Sequence, residues 1–390
     1  MIMKTNKIAL LLSGGVDSSV ALHMLCEAGE KPDCYYIHIG PDADDSYSCT
    51  SEEDIEMASA VAKKYDCKFY IVDLHKEYWN DVVTYTMETI KKGYTPNPDV
   101  MCNTLIKFGA FYKKVGHKYD YIATGHYATR VGYATGKCKD APDWVSPDFF
   151  NPSEVEWWIC PAKDPIKDQV DFIANINTFI VPVSKILFPI GNLMKDEVRK
   201  IAEENHLINA KRKDSQGICF LGKINYNDYI EKYLGKKDGD IIDVDTCNVL
   251  GKHHGYWFHT IGQRKGLGLS GGPWFVVGKD IKQNIVYVSK DQNRNAVSFF
   301  TIGNINWLTR NLINDYNDLD DKDKDSEIIC NITFKIRHSP DNYSGKLMYI
   351  NDSEKLVVIP DEPITVAPGQ YCILYDDTYS HCYGCGEITM

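Results

Sequence analysis

The first 125 residues alternate between short apolar runs and amphipathic stretches, and this alternation constrains the fold more than any other feature of the chain. Lys7–Leu12 reads as a buried strand and Asp17–Gly29 as a helix closed by Gly29 at its C-terminal end. Cys34–Ile39 reads as a second strand, Thr50 with Glu53 as a capping box opening a helix to about Tyr65, and Lys68–Asp73 as a third strand. A helix from about Lys76 to Lys92, a proline-containing loop, a helix from about Asn103 to Val115 and a strand at Tyr119–Thr124 follow. Strands separated by helices need crossover connections, so the expected product is a parallel sheet with helices on both faces.

The texture then changes. Gly132 to Pro165 is rich in Gly, Pro, Asp and Trp (Trp144, Trp157, Trp158), which predicts an ordered insertion or lid rather than a flexible linker. A helix is expected at about Lys195–Asn205. Beyond Tyr233 come short alternating segments: Asp240–Val244, Trp257–Thr260, Phe275–Val277, Ile285–Val288, Ile328–Ile336, Leu347–Ile350, Leu356–Ile359 and Tyr371–Tyr375. Short strands at regular spacing predict antiparallel sheet or barrel domains, with the acidic Asp315–Glu327 as a mobile loop between two of them. At 390 residues the chain is too long for one ordinary domain. We expect three: 1–222, 223–298 and 299–390.

Composition excludes several classes. Hydrophobic residues make up 44% and charged residues 25%, an ordinary globular balance. No apolar run approaches the roughly 18 residues of a membrane span, and the apolar stretch near the start is too short for a secretory signal. The thirteen scattered cysteines read as reduced thiols of a cytoplasmic protein. The formal net charge of −11 argues against nucleic-acid binding through overall charge. Locally, Lys185 to Lys265 holds 14 basic against 11 acidic residues plus four histidines, a face that could meet an anionic partner.

The chemistry centres on Ser13-Gly14-Gly15-Val16-Asp17-Ser18-Ser19, between the first strand and the first helix. Two glycines allow a tight turn, so successive N–H groups and the helix N-terminus converge on one anion site suited to a phosphate or pyrophosphate. Ser13, Ser18 and Ser19 add hydroxyls, and Asp17 could hold Mg2+ or orient a water bridging to it. The Gly-x-x-x-x-Gly-Lys-Ser/Thr pattern of kinase-like phosphate loops is missing. Gly132 to Lys137 only approximates it, and Gly266-x-Gly268-x-x-Gly271, a formal dinucleotide motif, lies in the barrel-like half and reads as a surface loop.

Two cysteine segments narrow the reading. Cys102, in Asn97-Pro98-Asp99-Val100-Met101-Cys102-Asn103, is expected just before a helix, where the partial positive charge of a helix start favours thiolate; Asp99 lies three residues earlier. Cys219 sits in Asp214-Ser215-Gln216-Gly217-Ile218-Cys219-Phe220. Taken alone, each is more often a buried structural cysteine. Cys382 and Cys385 with His381 could be half a zinc site, but no second ligand pair stands out.

The phosphate loop resembles that of the PP-loop ATP pyrophosphatases, which split ATP into AMP and pyrophosphate and leave AMP on a carbonyl oxygen of the substrate. The cysteine segments, with Ala123-Thr124-Gly125-His126-Tyr127, Phe188-Pro189-Ile190-Gly191, Val198-Arg199-Lys200-Ile201-Ala202 and His259 to Gly268, resemble the tRNA-specific 2-thiouridylase family over most of residues 7 to 290. The resemblance implies a Rossmann-like PP-loop (adenine nucleotide alpha hydrolase-like) domain, a small central β-rich domain and a C-terminal β-barrel. It implies ATP-dependent thiolation of the wobble uridine of tRNA, with ATP and Mg2+ as cofactors. A sulfur-relay protein or cysteine desulfurase would donate persulfide sulfur. Cys219 would carry the persulfide, and Cys102 would either release sulfide from it or close a transient Cys102–Cys219 disulfide, with Asp99 as acid or base. Some members have been proposed to hold an iron–sulfur cluster on the equivalents of Asp99, Cys102 and Cys219, and that alternative stays open. ATP would lie along Leu11, Leu12, Ser13, Gly14, Gly15, Val16, Asp17 and Ser18, with Ile37 and Gly125 close by. Asn97, Pro98 and Asp99 would shape the base pocket, and Lys167-Asp168-Gln169 and Arg337-His338 would contact tRNA.

The chain departs from the family where Ser-Tyr-Phe-Leu usually follows Lys-Asp-Gln and here Val170-Asp171-Phe172-Ile173 stands. His38-Ile39-Gly40-Pro41 replaces the usual residues after the second strand, and the Trp-rich segment exceeds the common length. Another PP-loop synthetase would have no use for two thiols. A tRNA-binding protein without catalysis would not consume ATP through Asp17.

Overall fold

The computed structural model describes residues 6–40, 51–134, 155–213, 226–318, 328–338, 341–350 and 355–389. Thr50, Trp144, Cys219 and residues 319–327 lie outside them. The chain opens with β1 (Ile8–Leu11), α1 (Val16–Glu27), β2 (Asp33–His38), α2 (Ser51–Lys64), β3 (Phe69–Asp73), helical residues 75–91 (α3), helical residues 98–114 (α4) and β4 (Tyr121–Thr124). With β7 (Ile186–Leu187) these strands form one parallel sheet in the order β3-β2-β1-β4-β7. Alternation along β1 and β2 builds a core on each face. Ala9, Leu11, Tyr35 and Ile37 point into one cluster, and Ile8, Leu10, Cys34 and Tyr36 into the other. The expected elements of this half are all present, with one displacement that matters. The helix expected from Asn103 starts at Pro98, because Asn97 caps it by accepting the Val100 N–H at 3.2 Å and proline suits the first helical position.

The two ends of the Trp-rich insertion form an antiparallel hairpin, β5 (Thr129–Ala134) and β6 (Val155–Cys160). After it, α5 (Lys195–Glu204) packs beside α1. The central sheet joins β8 (Gly239–Asp243), β9 (Val249–His253), β10 (Phe275–Asp280) and β11 (Ile285–Ser289) in the order β10-β11-β8-β9. Trp257–Thr260, expected as a strand, instead begins in the 3-10 turn Tyr256–Phe258, which follows Gly255 at φ +145°. There the Tyr256 N–H is taken by the Asn284 side chain at 3.2 Å rather than by a neighbouring strand. Gly266, Gly268 and Gly271 all have positive φ, so the dinucleotide-like motif is a loop.

Six strands close the last domain: β12 (Phe300–Trp307), β13 (Ile328–Lys335), β14 (Tyr343–Ile350), β15 (Lys355–Pro360), β16 (Tyr371–Tyr375) and β17 (Cys382–Thr389), with β12 pairing both β15 and β17. The β5/β6 hairpin extends this sheet, Ile159 pairing with Cys382. Asp315 does not lie in a loop. It belongs to the helix Leu312–Asn317, capped by Asn311 and ion-paired with Arg310 at 3.1 Å. Cys382 and Cys385 are buried in the barrel, while His381 bonds Asp376 at 2.7 Å and Tyr133 at 2.7 Å. Among the described residues no group of three metal-ligating side chains converges.

The barrel is fastened to the first domain by a buried ion pair, Lys335 to Asp168 at 3.6 Å, both side chains 1% exposed. Asp168 also accepts from the Ala162 N–H at 3.0 Å and the Tyr379 hydroxyl at 3.2 Å, while burial pushes its carboxyl above the usual range. Removing one partner of such a pair strands the other charge, so Lys335→Met should cost about 3–5 kcal/mol. In thermal unfolding, the Asp168→Asn/Lys335→Met double variant should recover part of that loss. Equal losses in the single and double variants would show that the two charges are not coupled.

Candidate active site

The turn between β1 and α1 is a pre-formed cradle. Gly14 has φ +79°, and a Cβ there would stand 2.5 Å from the Asp54 carbonyl oxygen, so the position tolerates glycine alone. The Ser18 hydroxyl accepts from the Ser13 N–H at 3.2 Å and donates to the Gly15 carbonyl at 3.1 Å, and Ser19 donates to that carbonyl at 2.9 Å. Hydroxyls that tie the loop to itself hold the first-turn N–H groups of α1, which have no intrahelical acceptors, facing one point. Gly125, at the end of β4, crosses within reach of this helix start. A Cβ on it would lie 2.7 Å from the Ser18 nitrogen. Leu11, Leu12, Val16 and Ile37 are buried behind the loop. A cradle closed to side chains, edged by hydroxyls and lying at the C-terminal end of a parallel sheet fits a polyphosphate.

Four residues to which the sequence analysis gave no role complete it. Lys195, at the first position of α5, reaches Asp17 at 2.7 Å with its side chain 13% exposed, and the Tyr127 hydroxyl donates to the same Asp17 oxygen at 2.9 Å. Asn209, buried, donates to the Gly14 carbonyl at 2.7 Å and to the Ser19 hydroxyl at 2.8 Å. Arg212 also reaches the Gly14 carbonyl, at 3.3 Å, and pairs with Asp54. Tyr127 adjoins Gly125-His126 in the sequence and could have been found there; Lys195 and Asn209 carried no local signal.

His126 is a core histidine. It is buried, bonds the Thr124 hydroxyl at 2.9 Å through Nδ1 and faces the Lys107 ammonium at 3.4 Å through Nε2. Lys107 can only donate, so Nε2 accepts and the ring is neutral. Burial, helped by the Lys107 charge, holds its pKa well below the histidine range.

Cys102 lies one turn inside α4 rather than ahead of it, and is buried at 1% exposure in the same core cluster as Leu11 and Ile37. The cap at Asn97 therefore places Asp99, not Cys102, in the first turn. The neighbouring Met101 sulfur receives the Tyr371 hydroxyl at 3.4 Å, and Asn175 lies between Met101 and Cys385. Among the remaining expected contacts, Gln169 pairs with Tyr127 through both its backbone and its side chain. The Asp168 side chain is turned inward to Lys335, leaving Lys167 as the half-buried cation of that segment. Arg337 and His338 are exposed at the end of β13.

Comparison with known proteins agrees with this arrangement. Residues 6–223 match the tRNA methyl transferase HUP domain, 227–290 the tRNA methyl transferase PRC-barrel domain and 298–388 the aminomethyltransferase beta-barrel domain. The chain is 49% identical over 384 residues to a tRNA-specific 2-thiouridylase MnmA of Bacteroides thetaiotaomicron, covering 98% of this chain and 99% of that one. It is 50% identical over 386 residues to the tRNA-specific 2-thiouridylase MnmA of Porphyromonas gingivalis, with the same coverage. The match runs over nearly the whole length of these relatives and takes in the α/β domain and both β domains that follow it, and the chain belongs to the tRNA-specific 2-thiouridylase family.

Proposed function

We propose that this enzyme is an ATP-dependent tRNA-uridine 2-sulfurtransferase that replaces the 2-oxygen of the wobble uridine with sulfur. The observation that carries the reading is the cradle formed by Gly14, Ser13, Ser18 and Gly125, with Asp17 fixed between Lys195 and Tyr127. ATP bound there would supply an adenylyl group to the carbonyl oxygen, turning a poor leaving group into AMP. The helix start and loop hydroxyls would hold the phosphates, and Lys195 would counter the charge that grows on the departing pyrophosphate. Asp17, with one oxygen engaged by Lys195 and Tyr127, is the residue suited to hold Mg2+ or its water. Asp99, in the first turn of α4, would exchange the proton at the base. Cys219 would receive persulfide sulfur from a relay protein or desulfurase and deliver it, and Cys102 would complete the release, as free sulfide or through a transient disulfide. Lys167, Gln169, Arg337 and His338, with Asn97 and Pro98 at the base, would position the tRNA.

The test is nucleoside mass spectrometry of unmodified tRNA incubated with the protein, ATP, Mg2+ and a desulfurase–cysteine sulfur source. New 2-thiouridine is expected. AMP and pyrophosphate without thiouridine would keep the ATP chemistry and redirect the acceptor or donor; neither product would leave a tRNA-binding role alone.

A further inference from the structure

The departure from the family pattern after Gln169 meets the end of the barrel strand β13. Asp171 stands where a tyrosine is usual, and its Oδ2 lies 2.9 Å from Nδ1 of His338. The partners are unequally buried: the Asp171 side chain is 3% exposed, that of His338 46%. Phe172 packs against the imidazole, ring centres 4.6 Å apart, and fixes its plane. With Nδ1 engaged by the buried carboxylate on a side chain that stays 46% exposed, Nε2 is the ring nitrogen left for an outside partner.

Charge balance favours the protonated ring. Two buried carboxylates, Asp168 and Asp171, face Lys335 at the end of β13 and His338 three residues beyond it, so this foursome is neutral only when His338 is an imidazolium. The other Asp171 oxygen, Oδ1, is buried with no hydrogen-bond partner among the described residues, so a neutral His338 would leave that charge uncompensated. In the chain, Lys167 precedes Asp168 and the exposed Arg337 precedes His338, so a basic residue neighbours each side of the cluster in sequence.

We propose that Asp171 is a positioning residue that holds His338 as an imidazolium with Nε2–H presented to a backbone phosphate of the tRNA. This rests on the tRNA-thiolating reading above. It treats the Asp171 substitution as one half of a new contact rather than the loss of an old one. The Asp171 hydrogen bond raises the His338 pKa above the ordinary histidine value; Asp171 and Asp168 add to the rise, while burial and Lys335 oppose it. A raised value means that the contact is complete below the unperturbed pKa of about 6.5 and is lost as pH rises through the higher one.

The experiment measures affinity of the full-length protein for unmodified tRNA with a wobble uridine, from pH 5.5 to 8.5 and across salt concentrations. His338→Gln should weaken binding about tenfold at neutral pH and lower the salt slope by about 1, as expected for one lost phosphate contact. Asp171→Asn should move the pH inflection down toward the ordinary histidine value. His338→Lys should restore affinity and remove the inflection, with or without Asp171. Wild-type affinity and slope in His338→Gln, or an unmoved inflection in Asp171→Asn, would overturn the proposal. A lowered thermal midpoint with unchanged binding would assign the pair to packing alone, which also overturns it. Failure of the wild-type protein to bind tRNA at any pH would be a different result, overturning the tRNA reading itself.

Discussion

Cys102→Ser is expected to abolish 2-thiouridine formation, a loss of more than about a thousandfold, while the protein stays folded. Serine is close to isosteric, and the site is a helix interior at 1% exposure, so the fold loses little volume. What it loses is sulfur. A hydroxyl cannot accept or release sulfane sulfur, and its alkoxide is inaccessible at neutral pH, whereas thiol–disulfide chemistry runs through thiolate. Cys219→Ser should behave alike. Cys160→Ser and Cys372→Ser are the controls: burial pushes both thiols up, Cys160 to about 12, as for inert core cysteines, and turnover per folded molecule should not change. Thiouridine persisting in Cys102→Ser would remove this residue from the reaction, and equal losses in the controls would show that the assay reads stability.

Lys195→Met should lower kcat/KM for ATP by about a hundred- to a thousandfold, read as pyrophosphate release, while tRNA affinity is unchanged. The Lys195 side chain is 13% exposed and its ammonium lies 2.7 Å from Asp17, so it acts in a partly dry setting where its charge is weakly screened. Asp17→Asn should give a similar loss, and the double variant much less than the product of the two, because both belong to one unit with Tyr127. Multiplicative losses would show that the lysine and the aspartate act independently.

The parallel sheet and the tight glycine turn after β1 were legible because their signals are local: alternation along β1 and β2, then two glycines at the one turn where a side chain would strike Asp54. Lys195 was not legible, since it lies 178 residues from Asp17 and reaches it only through the packing of α5 on α1. The helix start at Pro98 was misplaced because the strong apolar period begins at Ile106, while the cap that sets the start is one asparagine side chain. Strand β9 escaped because it is an edge strand with Val249 58% exposed, so no buried face marks it. Asp171 and His338 are 167 positions apart in the chain, and only the docking of the barrel reveals their pairing.

The hairpin that joins the barrel sheet has a consequence for synthesis. Residues 129–160 emerge from the ribosome well before residues 300–389, yet β6 finds a place beside β17, and Asp168 meets its counter-charge only when Lys335 arrives. Until then the nascent first domain exposes an unpaired strand edge and an uncompensated carboxylate, the features that make partly made chains prone to wrong pairing. Contacts of such long sequence separation also form slowly, because loop closure is costly until the last strand is available. The first domain is thus completed by the barrel strands made last, and a chain cut after the central sheet would leave it with an open seam.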